Sequence, residues 1–212
     1  MHSQDHLKMH SSILKTLHDS VFSFILIILL FPLFALVSLA ILFFDGMPIL
    51  FLQERIGKNA HPFKLIKFRT MTVQPDTSSD QFSPDQNHRI TKLGSILRKY
   101  KIDELPQFIN VLKGDIAIVG PRPEVRTWVE KFPKEFAKIH TIKPGITDYA
   151  SIKYRNEELI LREADDPFKE YNDRILPSKM AINIEYIDNH SFFLDLRIIV
   201  KTIFSLFWIS EK

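Results

Sequence analysis

Cysteine is absent from this chain of 212 residues, which excludes disulfides, thiolate chemistry and cysteine-based zinc sites together. Eight histidines remain. Five of them, His2, His6, His10, His18 and His61, stand at or before the first strands, so no histidine metal centre is expected. Internal repeats and low-complexity tracts are missing. The basic residues are spread out and no nucleic-acid module is recognisable, which disfavours a nucleic-acid partner. The net charge of +3 argues for nothing by itself. Apolar residues make up 45% and charged residues 25%, enough for a packed core and too apolar for wholesale disorder. The length suits one domain, or one domain with an appendage.

Charge of either sign is also absent from Val21 to Phe44, a run broken only by Ser23, Pro32 and Ser38. As a helix it would reach about 36 Å, enough to cross a bilayer core. It is too long for a signal-peptide apolar region and no small-residue cleavage site follows, so the segment is expected to stay with the protein. Pro32 sits at its middle, where it removes a backbone hydrogen bond and bends a helix. Lys8 and Lys15 precede it, and Arg55, Lys58, Lys64, Lys67 and Arg69 follow. A basic excess at both ends suits a helical hairpin that enters and leaves one leaflet, with a kinked spanning helix as the alternative.

Asp45-Gly46 is a turn signal, and two strand-like runs follow, Ile49 to Gln53 and Pro62 to Phe68. The second alternates apolar and basic residues and ends on Lys67 and Arg69, a place for phosphate-binding side chains or a solvated strand end. Residues 72–89 are rich in turn formers and read as a mobile loop or lid. Thr91 to Lys101 reads as a short helix with Leu93, Ile96, Leu97 and Tyr100 on one face. Glu124 to Ile139 reads as a helix broken at Pro133. Thr141 to Thr147 reads as a Pro-Gly turn, Tyr149 to Tyr154 as a strand, Arg155 to Glu158 as the opening of a helical region, and Lys179 to Asp188 as a helix. At the C-terminus, Phe192, Phe193, Leu196, Ile199, Val200, Ile203, Phe204, Leu206 and Phe207 share one helix face. Asp195, Arg197, Lys201, Thr202 and Ser205 lie opposite, and Trp208 stands near the end. Such a helix suits the membrane interface, or docks on the core.

The centre of the chain is Lys101 to Asp115, followed by the apolar run Ile116 to Val119 and then Gly120-Pro121-Arg122-Pro123. Asp103 is placed to cap a helix, with Glu104 in the first turn, Pro106 where a missing N–H breaks nothing, and Gly114 as the stop. Ile116 to Val119 read as a buried strand that delivers an arginine between two prolines. Adjacent carboxylates, helix N–H groups and a fixed guanidinium suit a polyanion with a divalent metal. The plainer alternative is a cap, a surface glutamate and a loop arginine.

Taken together these pieces resemble the bacterial sugar transferases of the monotopic phosphoglycosyl transferase superfamily. The resemblance rests on the apolar segment with its central proline, Gln53-Glu54-Arg55-Ile56-Gly57, Lys67-Phe68-Arg69-Thr70-Met71, and Arg98 ahead of Asp103-Glu104-Leu105-Pro106-Gln107. Asn110 to Asp115, Val119 to Glu124 and Pro144-Gly145-Ile146-Thr147 complete it. It implies transfer of a sugar 1-phosphate from a UDP-sugar to polyprenyl (undecaprenyl) phosphate, giving polyprenyl-diphospho-sugar and UMP. It also implies Mg²⁺, a re-entrant helix broken at Pro32, and a covalent intermediate on Asp103 with Glu104 as its partner. The implied fold is a small mixed α/β cytoplasmic domain with an N-terminal re-entrant membrane hairpin and interfacial amphipathic helices. Its expected parts are a polar segment 1–20, a membrane helix 21–44, a catalytic domain 45–190 and a C-terminal amphipathic helix 191–212. The chain would then sit on the cytoplasmic face of a bacterial inner membrane. Asp103 and Glu104 are the candidate catalytic and metal-binding residues, and Lys67, Arg69, Arg98, Gln107, Arg122 and Arg155 the candidate substrate-binding ones. Three positions depart from the family pattern: Phe31 where serine is common, Asp148 where glycine is common, and Ile116-Ala117 where Met-Ser is usual. Of these, Asp148 bears on the sugar-nucleotide pocket.

Two other readings use the same residues. One is a membrane-attached, metal-dependent phosphohydrolase acting on a lipid diphosphate. The other is a non-enzymatic scaffold that holds anionic lipid through Lys64, Lys67 and Arg69.

Overall fold

The computed structural model describes residues 2–73 and 89–207. Among them the backbone is mostly helical, with four short strands in two separate two-stranded sheets. The chain opens with one helix, α1, from His2 to Phe44, and Pro32 lies inside it. Residues 2–20 of the polar segment are therefore the start of this helix, which runs on through Pro32. A proline removes one N–H and crowds one carbonyl; with Phe31 beside it and strong helix formers on both sides, the rest of the ladder carries on.

From Val21 on, α1 is apolar nearly all round, and its outer face is open: Leu29 is 69% exposed, Leu36 66% and Phe43 86%. One stripe turns inward. Asp19, Ser23, Val37 and Ile41 are buried, at spacings that keep them on a single helix face. Both halves of α1 dock on the same body. Lys15 Nζ donates to the Val119 carbonyl at 3.0 Å, and Asp19 Oδ2 accepts from the Ile118 N–H at 3.2 Å. Further along, Phe34 meets Phe68 with ring centres 5.8 Å apart, and Val37 and Ile41 close a cluster with Phe68 and Leu97.

Strands β1 (Leu50–Ile56) and β2 (Pro62–Phe68) form an antiparallel pair that sets Phe51 opposite Lys67. β2 has the expected bounds, while β1 runs on to Ile56 because Pro62, Phe63 and Lys64 pair with its second half. The loop expected over 72–89 lies almost wholly outside the described residues. Its two ends are tied by a Met71–Ile90 bridge and by the Thr72 N–H to the Arg89 carbonyl at 2.9 Å.

Helix α2 (Lys92–Lys99) is capped by the Thr91 side chain, which accepts from the Gly94 N–H at 2.8 Å. Its expected apolar face is only half used: Leu97 is buried, but Ile96 is 53% and Tyr100 48% exposed. The helix instead presents Gly94 to the chain at Thr70, where an added Cβ would come within 2.2 Å of a carbonyl oxygen. Next come a 3₁₀ turn (Ile102–Glu104) and helix α3 (Gln107–Lys113), ended by Gly114 at φ 83°. Asp103 is not the helix cap. It lies inside the 3₁₀ turn, entered through Lys101 at φ 56°, because Pro106 offers no N–H and the first turn closes by i→i+3 bonds.

Strand β3 (Ala117–Val119) is fully buried and pairs in parallel with β4 (Gly145–Thr147). The residues read as a Pro-Gly turn thus include a strand. Gly120 and Gly145 allow it, since a Cβ on Gly145 would lie 2.1 Å from the Gly120 nitrogen. Helices α4 (Arg126–Lys131) and α5 (Pro133–Ile139) are split at Pro133 as expected. Tyr149 to Tyr154 is not a strand: α6 (Tyr149–Lys153) forms because Asp148 caps it, accepting from the Ser151 N–H at 2.5 Å.

Helices α7 (Glu157–Glu163) and α8 (Pro167–Glu170), a π-helical turn (Tyr171–Ile175) and α9 (Leu176–Asn189) then cover Trp128, Phe136 and Ile139. The last helix, α10 (Phe192–Phe207), docks on the core along one face. Ile198 is fully buried, Asp195 takes a hydrogen bond from Tyr186 at 2.6 Å, and Thr202 meets Thr147 at 2.7 Å. Its aromatic face points away, with Phe192 64%, Phe193 80% and Phe204 68% exposed. Trp208 and the side chains of Leu206 and Phe207 lie outside the described residues.

Candidate active site

Three elements converge at the Asp-Glu pair. β2 carries Lys67, the 3₁₀ turn carries Asp103 and Glu104, and the segment after β3 carries Arg122. Lys67 Nζ donates to Glu104 Oε1 at 3.1 Å. Arg122 grips the same carboxylate with both arms, Nη2 to Oε1 at 2.5 Å and Nη1 to Oε2 at 3.2 Å. Burial pushes Glu104 up, but Arg122 and Lys67 outweigh it and hold the group well below the ordinary carboxylate range. Arg122 is raised by Glu104 in return. Lys67 is lowered, because burial and the nearby Arg122 and Arg55 charges exceed the pull of Glu104.

Asp103 is the reverse of its neighbour. It is buried, and its Oδ1 has no hydrogen-bond partner. Burial first, and then the Glu104 charge, raise its pKa. Gln107, four residues on, is also buried and leaves its Nε2 unpartnered. Two orphaned polar atoms one turn apart are costly without a ligand. An unpartnered carboxylate oxygen adjoining a glutamate that gathers two cations is suited to attack on a phosphorus atom held by those cations.

The other candidates are placed differently. Arg69 is committed to the carbonyls of Asp45, Gly46 and Met47 at 2.6, 2.7 and 2.8 Å, so it fastens the turn between α1 and β1. Arg98 donates to Thr70 Oγ1 at 2.9 Å and to Glu158 at 3.1 Å, and its charge acts on Asp103. Arg155 stands half-buried in the turn between α6 and α7.

The metal expectation meets a specific obstacle and a specific opening. Among the described residues no three His, Cys, Asp or Glu side chains are grouped to hold an ion, and both Glu104 oxygens are occupied by cations. Asp103 Oδ1 is the atom that remains open. Magnesium is usually held by one or two carboxylates together with substrate phosphates. This site fits an ion that comes with its phosphate ligand, not one caged by protein.

Sequence reasoning missed the buried network behind Arg122. Arg55 Nη1 donates to the Pro123 carbonyl at 3.1 Å and lies 3.6 Å from Glu124. Tyr171 donates to Glu124 at 2.9 Å, and Lys179 reaches Glu157 at 3.0 Å and Glu124 at 3.5 Å. Arg55 and Glu124 both lie within the recognised motifs, but nothing in the linear order pairs them.

The model of the family described as "Bacterial sugar transferase" matches residues 10–208 of the chain. The chain is 40% identical over 159 residues to the UDP-N-acetylgalactosamine-undecaprenyl-phosphate N-acetylgalactosaminephosphotransferase of Aeromonas hydrophila, covering 74% of this chain and 34% of that protein. It is 42% identical over 158 residues to the sugar transferase EpsL of Bacillus subtilis, covering 74% and 69%. With the UDP-glucose:undecaprenyl-phosphate glucose-1-phosphate transferase of Escherichia coli it shares 32% identity over 199 residues, covering 92% and 40%. The chain therefore spans well under half the length of two of these three relatives. A match over nearly the whole chain places it plainly: this protein is a member of the bacterial sugar transferase family.

Proposed function

We propose that the protein transfers a sugar 1-phosphate from a UDP-sugar to undecaprenyl phosphate, releasing UMP. The observation that carries this reading is Asp103 Oδ1, buried and unpartnered beside Glu104, whose carboxylate gathers Lys67 and Arg122. The Asp103 carboxylate attacks the β-phosphorus of the donor, forming an O–P bond and breaking the bond to the bridging oxygen, which leaves with UMP. An oxygen of undecaprenyl phosphate then attacks the same phosphorus, and the Asp103 carboxylate is regenerated. Lys67 and Arg122 hold phosphate oxygens, and Gln107 offers its free N–H₂ to the donor. Arg98 and Arg155 belong to the outer part of the donor site, while Arg69 acts through the turn it fastens. Mg²⁺ would be held by Asp103 and the donor diphosphate, with Glu104 joining where its cations turn to phosphate. When bound, it offsets diphosphate charge and stabilises the leaving UMP.

The membrane arrangement follows from α1. Leu14–Phe44 is long and apolar enough to cross a bilayer. From Lys15 to Ile41 a helix measures about 39 Å, yet both ends of that stretch rest on one body. Crossing would pull one end away from its partners. This supports a segment that enters and leaves the cytoplasmic leaflet of the bacterial inner membrane, the bend falling at Pro32. The outward aromatic face of α10 lies in the same interface.

UMP release across a panel of UDP-sugars, in vesicles with and without undecaprenyl phosphate, tests the proposal. Sustained turnover is expected only with the lipid acceptor and a subset of the donors. Sustained release without acceptor would mean hydrolysis and would overturn it.

A further inference from the structure

We propose that Asp148 is a positioning residue for Arg122, and that this role rests on the transferase reading above. Asp148 is 1% exposed. Among the described residues no cation pairs with it. Its carboxylate is satisfied by backbone N–H groups instead: Oδ2 accepts from the Arg122 N–H at 3.0 Å and Oδ1 from the Ser151 N–H at 2.5 Å.

The chain around Arg122 explains why that bond matters. Pro121 and Pro123 have no N–H, so the Arg122 amide is the one backbone donor between Gly120 and Glu124. Every other fastening of the tripeptide uses a neighbouring group. Gly120 donates to the Thr147 carbonyl at 3.1 Å, the Pro121 carbonyl accepts from the Gly145 N–H at 2.9 Å, and the Pro123 carbonyl accepts from Arg55 at 3.1 Å. Asp148 is what holds the Arg122 backbone itself. The prolines fix φ on either side, and the remaining freedom lies in Arg122 and in ψ of Pro121. Asp148 removes it, and so sets the line along which the guanidinium reaches Glu104 at 2.5 Å. A glycine at this position could not reach, and the amide would need another acceptor. The same carboxylate caps α6, so the helix start and the arginine are held to one another through a single side chain.

The two duties can be separated. Asp148→Ser keeps a good helix cap but loses the second acceptor that serves Arg122. Its effect is read in a cycle with Arg122→Ala, because residues that act as a unit are not additive. Asp148→Ser alone is expected to lower kcat/KM for the UDP-sugar about tenfold with the melting temperature nearly kept. In the Arg122→Ala background the same change should cost less than about twofold. Hydrogen exchange at the Arg122 amide should quicken in Asp148→Ser while the Ser151 amide stays protected.

An equal loss in both backgrounds, or an Arg122 amide that exchanges alike with and without Asp148, would overturn the proposal. Absence of transfer by the unaltered protein with every donor would instead remove the transferase reading, and the exchange comparison would still decide the clamp. If Asp148→Ser fails to fold, Asp148→Asn, which retains one acceptor oxygen, takes its place in both measurements.

Discussion

Arg122 meets Glu104 in a two-pronged ion pair, with Nη2 at 2.5 Å and Nη1 at 3.2 Å from its two carboxylate oxygens, and Lys67 adds a third contact at 3.1 Å. The planar fork is what a lysine cannot copy. Arg122→Lys should keep the charge and the fold but lower kcat/KM at least about tenfold, through loss of two-point contact with carboxylate and phosphate. Steady-state UMP release together with a melting curve checks this. A rate near that of the unaltered protein would remove Arg122 from the site.

The two carboxylates should respond to acid in opposite directions. Asp103 lies above the ordinary 3.8 of an aspartate because of burial and the Glu104 charge. The attacking form is lost as pH falls through that raised value, so the acid limb of the kcat/KM profile should lie above pH 3.8. The stability it contributes is present below 3.8 and lost as pH rises through the folded value. Asp103→Asn should therefore be inactive yet melt higher than the parent at neutral pH. Glu104 is held well below 4.5, so its contribution is present above pH 4.5 and lost as pH falls through the folded value. Glu104→Gln should melt lower at neutral pH. Finding both variants shifted the same way would contradict this assignment.

The outward face of α10 should bind lipid without supporting the fold. Phe193 is 80% and Phe204 68% exposed, whereas Ile198 is fully buried. Phe193→Glu with Phe204→Glu should reduce partitioning into anionic vesicles at an unchanged melting temperature. Ile198→Ala should cost about 2–5 kcal/mol of stability. Equal destabilisation by both changes would place the aromatic face inside the protein.

The topology can be read by labelling, since the chain has no cysteine of its own. Cysteines placed singly at positions 5 and 58 should both be shielded from an impermeant thiol reagent added outside intact cells. Pro32→Leu should favour a crossing helix and expose position 5. Labelling of position 5 in the unaltered helix would mean that α1 crosses.

Local chemistry was legible in the sequence wherever the signal and its consequence lie within one turn. The bounds of β2, the break at Pro133, the stop at Gly114 and the end of the apolar helix at Phe44 are of that kind. What could not be read depends on partners far along the chain. Asp148 turns an apparent strand into helix α6 by capping it, and its other oxygen serves a residue 26 positions away. β4 forms because Gly120 and Gly145 can touch. Arg69 looked like a phosphate ligand at a strand end, until three carbonyls of the α1–β1 turn claimed it. The dyad was visible as two adjacent letters. That one carboxylate is bound by two cations and the other keeps an unpartnered oxygen needed the fold.

That asymmetry is the centre of the account, and trapping the intermediate tests it most directly. The protein is incubated with a UDP-sugar and Mg²⁺ in vesicles lacking undecaprenyl phosphate, quenched, digested and analysed by mass spectrometry. The account predicts one equivalent of UMP released and a sugar-phosphate adduct on the peptide containing Asp103, discharged when acceptor is added and absent from Asp103→Asn. Appreciable turnover by Asp103→Asn, or UMP release that requires donor and acceptor bound together with no adduct, would contradict it.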